Sequence, residues 1–291
     1  MSPWGKKKMQ PTSHHGIVAS SSVSPMTLTF LGTGTSHGVP SIDCMVDGYV
    51  RCPKGLCRKA LDDSRFRRTR SSVVLEYGGK RVLIDVSSDF REQCMRERVG
   101  GLDAVLVTHA HADHIAGIPD IRSYTRPPGP PLPLWGTAET IAAIRRSYSY
   151  VFDPDAFVGG GIPRLEPMVV EGPFDLFGLR VAPIPVVHGP MPGCVGFRIG
   201  GLGYVPDMKD MPPRSRNLLR GLDCLVLNCL RCSRPHATHL TLPESMELAR
   251  ELAPRKCFFT HLSHDVDFLA DSSVLESWMA FAHDGLRVEV G

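Results

Sequence analysis

Thr108-His109-Ala110-His111-Ala112-Asp113-His114 directly follows the apolar stretch Ala104-Val105-Leu106-Val107 and places three imidazoles and one carboxylate within six residues. Neutral imidazole nitrogen and carboxylate oxygen suit zinc, manganese or iron. Two such ions side by side can activate a water and clamp the oxygens of a displacement. The run therefore reads as a two-metal site at the end of a strand, with a merely histidine-rich polar loop as the alternative.

Working outward, three further candidate ligands follow apolar stretches in the same way. His188 follows Val181 to Val187, Asp207 follows Gly203-Tyr204-Val205-Pro206, and His261 follows Cys257-Phe258-Phe259-Thr260. Each sits at the C-terminal end of an expected strand, so a layered fold can gather them at one rim. The bland alternatives are a turn aspartate after proline for Asp207 and a loop histidine for His188.

The chain has 291 residues, 42% hydrophobic, which fits one large domain with a sizeable core. Residues 1 to 25 read as an N-terminal extension and 26 to 291 as the folded domain. A formal net charge of +3 gives little grip on a large polyanion, so nucleic acid is disfavoured as a partner. No apolar run approaches the roughly 20 residues that span a bilayer, and no membrane partner is expected. Nine cysteines, an odd count without an export signal, point away from disulfides and toward metal ligation or burial. The expected compartment is the cytoplasm, or an organelle matrix if residues 1 to 25 are a transit peptide.

Strands are expected near 26–31, 72–77, 81–86, 103–108, 132–135, 167–171, 179–187, 194–199, 202–206, 223–228 and 256–260, with Gly78-Gly79 turning a hairpin. Helices are expected near 88–98, 115–124, 137–150, 213–221, 242–253 and 272–282. Hairpins mixed with helices imply two sheets covered by helices on their outer faces.

The pattern His109-x-His111-x-Asp113-His114, with His188, Asp207 and His261 at their spacings, resembles the metallo-β-lactamase superfamily over nearly the whole chain. That resemblance implies an α/β fold, a four-layer αβ/βα sandwich of two mixed sheets flanked by helices. Phe30 to Pro40, Arg70-Ser71-Ser72 and Thr260-His261-Leu262-Ser263-His264 further resemble the phosphoribosyl 1,2-cyclic phosphate phosphodiesterase-like subfamily. Carried over, His109, His111 and His188 would hold one divalent ion, zinc or manganese, and Asp113, His114 and His261 the other. Asp207 would bridge the two, which would lie about 3.5 Å apart. Asp85, ending Arg81-Val82-Leu83-Ile84, would stand behind the metals and orient a ligand imidazole or a metal-held water, with capping of the next helix as the alternative.

Cys44, Cys52, Cys57 and His264 look like that subfamily's separate structural zinc site. Three thiolates and an imidazole close a tetrahedron and leave no position for substrate. The spacing Cys-x7-Cys-x4-Cys departs from the tighter bacterial cluster, so Met45 to Arg51 must loop out; buried or idle cysteines are the alternative. His239 stands 22 residues before His261, the family's separation for a general acid near the leaving group. His236 is a neighbour that could bind phosphate, and both could instead be solvated loop histidines. Cys224, Cys229 and Cys232 lack an evident fourth ligand and read as buried. Gly32 to Ser36 lacks the lysine of a phosphate loop and reads as a tight turn. The basic cluster Arg65 to Arg70 reads as a solvated face or a phosphate-steering one.

Together these readings describe a dinuclear metal-dependent phosphodiesterase that hydrolyses a small cyclic phosphate or phosphodiester through a water activated between the metals. His239, Asp113 and Asp207 are its catalytic candidates, a small phosphate ester is its partner, and a homodimer stays open. The competing functions are a metallo-hydrolase of a thioester, lactone or β-lactam, a tRNA-processing endonuclease, and a metal-binding protein without turnover.

Overall fold

Fourteen strands make two seven-stranded mixed sheets in the computed structural model, which describes residues 26–157, 159 and 161–291. The expected N-terminal extension, 1 to 25, lies outside the described residues. The first sheet contains β1 (Met26–Gly32), β2 (Ser72–Tyr77), β3 (Lys80–Ile84), β4 (Ala104–Leu106), β5 (Leu132–Gly136) and β6 (Leu165–Val169). The second contains β7 (Phe174–Leu176), β8 (Leu179–Pro185), β9 (Val195–Ile199), β10 (Leu202–Val205), β11 (Cys224–Asn228), β12 (Lys256–Thr260) and β13 (Met279–Phe281). The chain then returns, and β14 (Arg287–Val290) pairs antiparallel with β1. The sheet orders are β14-β1-β2-β3-β4-β5-β6 and β13-β12-β11-β10-β9-β8-β7.

Three apolar layers account for the architecture. Alternate residues of both sheets, among them Leu28, Phe30, Ile84, Phe197, Tyr204 and Val226, meet in one buried core between the sheets. The opposite face of the first sheet, with Leu83, Val105 and Leu134, packs on Phe90 and Cys94 of helix Phe90–Glu97 and Ile141 and Ile144 of helix Ala138–Ser147. The opposite face of the second, with Leu225, Leu227 and Phe259, packs on Met246 and Ala249 of helix Leu242–Leu252. Strands that bury both faces read as continuous apolar runs, as β4 and β11 do. The result is helix, sheet, sheet, helix, as the sequence implies.

Local chemistry sets the element ends. Thr137 Oγ1 accepts from Thr140 N at the start of helix Ala138–Ser147. Pro243 occupies the first turn of helix Leu242–Leu252, where Thr241 and Glu244 complete a capping box. A Cβ on Gly32 would come within 2.0 Å of the Arg70 carbonyl, so only glycine lets β1 meet the Arg70 strip so closely.

Three expectations need correction. The stretch 115–124 is not one helix: a single turn, Ala112–Ile115, is followed by a 3₁₀ segment, Ile118–Ser123, with Pro119 inside it. The stretch 272–282 is a short 3₁₀ turn, Asp271–Val274, and then β13, because Met279 to Phe281 can extend the parallel ladder of β12. Met45 to Arg51 does not loop out entire: Met45 and Val46 finish the helix Ile42–Val46, and the chain turns through Tyr49, which has φ +67°. Among the described residues, no helix is long and apolar enough to cross a membrane.

Candidate metal centre

The C-terminal ends of strands in both sheets deliver the candidate residues to one rim. Asp85 leaves β3, the histidine run leaves β4, His188 follows β8, Asp207 follows β10 and His261 follows β12. Val195 N donates to the Thr108 carbonyl at 3.0 Å, which ties the two sheets together beside the run.

Three nitrogens converge from His109, His111 and His188. His111 Nδ1 lies 2.9 Å from His109 Nε2 and 3.2 Å from His188 Nε2. Ligands on a tetrahedral zinc with bonds of about 2.05 Å would stand about 3.3 Å apart, so these separations suit one ion. Burial holds His109 well below the ordinary imidazole value, helped by the proximity of His114. Burial also lowers His111 and His188. All three are therefore neutral, as ligands must be.

A second cluster gathers Asp113, His114, Asp207 and His261, with the candidate ligand atoms all within 4.8 Å of one another. His114 Nε2 stands 2.6 Å from Asp207 Oδ2 and 3.4 Å from Asp113 Oδ2, and His261 Nδ1 is 3.1 Å from Asp207 Oδ1. His114 Nε2 and Asp207 Oδ1 are nevertheless buried without a hydrogen-bond partner. Buried polar atoms are seldom left so, and a divalent cation among these four groups would satisfy both. Asp207 Oδ2 also reaches to 3.6 Å from His109 Nε2, which places this carboxylate between the clusters. Burial pushes Asp207 up, but His261 and His114 outweigh it and hold it well below the carboxylate range. Burial lowers His261 to about 4.

Behind the cluster, Asp85 is sealed from solvent and accepts from His114 Nδ1 at 2.8 Å. Thr108 holds the carboxylate in turn, its N–H at 2.8 Å and its hydroxyl 3.0 and 2.9 Å from the two oxygens. Burial opposes charge on His114, but Asp85, Asp113 and Asp207 overcome it and hold the imidazole well above its usual value. Asp85 and His261 have φ of +65° and +58°, a strained state for non-glycine residues and one that concentrates at functional sites. Thr108 and Ser71 occur in the sequence motifs without an individual role there; Ser71 Oγ lies 3.3 Å from His261 Nδ1. Thr108 heads the histidine run, which was its available signal.

His239 lies at the edge of the clusters on the loop between β11 and helix Leu242–Leu252. Its Nε2 is 3.3 Å from Asp207 Oδ1, and its ring stacks on His261 at 4.9 Å. Its Nδ1 meets Thr238 Oγ1 at 2.9 Å and His236 Nδ1 at 3.2 Å. Burial, and then His239, lower His236. A cleft of about 620 Å³ opens over these groups between Ser36, Thr238 and the Pro190-Met191-Pro192 turn. A larger hollow of about 880 Å³ near Arg65 and Arg70 holds neither cluster; the chemistry sits in the smaller one.

Apart from this centre, Cys44, Cys52, Cys57 and His264 also converge. Cys44 and Cys57 Sγ lie 3.2 and 3.4 Å from His264 Nδ1, and Cys57 N donates to Cys52 Sγ at 3.3 Å. All nine cysteines are free. Burial, reinforced by the neighbouring thiols, pushes Cys57 up to about 12; a bound zinc would deprotonate it outright. Cys224 and Cys229 are buried and Cys232 half-buried, and none of the three belongs to a candidate ligand group among the described residues.

A sandwich of this layering, with histidine and aspartate clusters at the strand ends, defines a metal-dependent hydrolase. The Beta-lactamase superfamily domain matches residues 80–262, and the chain belongs to the metallo-β-lactamase superfamily. A crystal structure of a diphosphatase from the PhnP family is similar at 38% identity and a TM-score of 0.80, over 90% of this chain and 97% of that one. An octanoyltransferase of Porphyromonas gingivalis is 31% identical over 90% of this chain and 51% of its own length. A coenzyme PQQ synthesis protein B of Methylobacterium radiotolerans is 29% identical over 55% of this chain and 52% of its own. The chain thus spans about half the length of these two sequence relatives. Zinc-bound PqqB from Methylobacterium extorquens shares the fold at 22% identity and a TM-score of 0.71, covering 90% of this chain and 99% of that one.

Proposed function

We propose that the protein is a dinuclear phosphodiesterase of small phosphate esters, cyclic or linear. The observation that carries this reading is the single buried carboxylate, Asp207, standing between a cluster of three imidazoles and a second, mixed cluster. Similarity to the PhnP-family diphosphatase supports phosphorus over carbonyl chemistry. In this reading His109, His111 and His188 would hold one ion and Asp113, His114 and His261 the other, with the Asp207 carboxylate available to both. Residues 26–291 form one hydrolase domain, and zinc and manganese both suit the donor set.

When bound, a pair of divalent cations would supply Lewis acidity and lower the pKa of a water at neutral pH. The chain's own groups do the rest. Asp85 and Thr108 fix the ring of His114 so that Nε2 faces inward. Pro190, Met191 and Pro192 wall one side of the cleft. His239, 13% exposed at its side chain, stands where it can give a proton to the departing ester oxygen. Thr238 and His236 hold its other nitrogen.

A second reading is favoured by one relative: the octanoyltransferase name invites hydrolysis of an acyl thioester. That name covers a protein twice as long as the match, so it does not decide the chemistry of this half. The test is direct. Chelator-treated protein, resupplied with zinc or manganese, is assayed on bis-p-nitrophenyl phosphate, cyclic nucleotides, an octanoyl thioester and nitrocefin. Turnover of the phosphodiesters is expected; preference for the thioester or nitrocefin overturns the proposal.

A further inference from the structure

One member of the basic run Arg65 to Arg70 has a place the metal centre does not explain. Arg68 is 5% exposed, and its guanidinium makes no direct salt bridge among the described residues, with Asp284 and Asp267 acting on it only from a distance. It donates instead to two carbonyls, Ser263 O and Val266 O, each at 2.7 Å. Burial lowers it only to about 10, so it stays charged at neutral pH. A buried charge is costly unless hydrogen bonds or an opposite charge compensate it. Here the forked donor spans two peptide oxygens on either side of His264.

The backbone of Arg68 grips the opposite half of the cysteine site. It exchanges two hydrogen bonds of 2.9 Å with Val39. Two residues on, Ser41 N lies 3.4 Å from Cys57 Sγ, and Ser41 Oγ accepts from Cys44 N at 3.3 Å. One residue thus holds the cysteine loop with its main chain and the histidine arm with its side chain.

That same arm carries His261. Leu262 N donates to Thr33 O at 2.8 Å, and Leu262 O accepts from Thr35 N at 3.2 Å. Ser71, three residues past Arg68, accepts or donates at His261 Nδ1 and binds Gly34 O at 3.0 Å. The arm from His261 to His264 is therefore held near both ends by a strip that Arg68 begins and Ser71 ends.

We propose that Arg68 is a positioning residue that couples the two metal sites. Filling the Cys44, Cys52, Cys57 and His264 site locks the arm and raises the affinity of the His261 site for its ion. The inference rests on the ligand sets proposed above. Because binding linkage is reciprocal, the His261 site must strengthen the cysteine site by the same factor.

Cobalt(II) titration of the full chain separates the sites, since only the cysteine site gives a sulfur-to-cobalt charge-transfer band. Cys57→Ser is expected to weaken cobalt binding at the imidazole–carboxylate centre by about tenfold. Arg68→Met is expected to weaken both sites, and adding Cys57→Ser to it should then cost the centre nothing more. Arg68→Lys keeps the charge but not the fork, so it should retain only part of the coupling, and it serves if Arg68→Met fails to fold. Wild-type cobalt affinity at the centre of Cys57→Ser, or full coupling in folded Arg68→Met or Arg68→Lys, overturns the inference alone. A wild-type chain that takes up no cobalt overturns the ligand sets and the inference together.

Discussion

His114 Nδ1 and Asp85 Oδ2 lie 2.8 Å apart in a pocket that excludes solvent from both side chains. The contact fixes which nitrogen of His114 faces the centre, and Thr108 fixes the carboxylate that does so. Removing such a partner typically costs 10–100-fold in metal affinity. Asp85→Ala should therefore lower affinity by about that factor, read by competition with a chromophoric chelator. Unchanged affinity would mean that Asp85 merely caps the segment after β3.

His239→Ala should slow phosphodiester turnover by about 10²- to 10⁴-fold while leaving metal content intact, as expected of a proton donor. Metal analysis alongside the kinetics is decisive, because His239 also stands within ligand reach of His188 and Asp207. Loss of an ion from the variant would reassign His239 from proton donor to ligand.

The two clusters should respond differently to pH. His109, His111 and His188 are lowered by burial and enter metal binding already neutral. His114 is raised by its three carboxylates, so below that raised value a proton occupies the nitrogen that the ion needs. Metal binding must expel it. As pH falls from about 8 to 6.5, affinity at the His114 cluster should drop while the three-imidazole cluster stays level. Titrations in buffers of different ionisation enthalpy would show the released proton; equal pH slopes at both clusters would contradict the assignment.

Phe197 is fully buried between the sheets, packed among Phe30, Tyr204 and Val226. Phe197→Ala should destabilise the metal-free domain by about 3–5 kcal/mol through the cavity it leaves, measured by denaturant unfolding. A loss below about 1 kcal/mol would show that this layer is not a shared core.

The candidate ligands are legible because chemistry and position coincide in the chain. His109 to His114 are contiguous, and His188, Asp207 and His261 each follow an apolar run long enough to announce a strand. The cysteine site was readable by resemblance, though nothing local indicated that Ile42–Val46 and Leu56–Asp62 are helices that fold three thiols back onto His264. What failed was set by distant partners. Met279 to Phe281 form only three residues of strand, defined by pairing with β12 rather than by any pattern of their own. Nothing within Arg65 to Arg70 marks its buried arginine. Arg68 reads like its solvated neighbours, and only the carbonyls of Ser263 and Val266, far along the chain, distinguish it.

If Asp207 joins two cation sites, elemental analysis of unchelated protein should find both ions. The expected content is about two ions at the histidine–aspartate centre and about one at the cysteine site, with Asp207→Ala losing ions from the centre but keeping the one held by cysteine. A chain that carries no transition metal and cannot be loaded with any would rule out both cation sites.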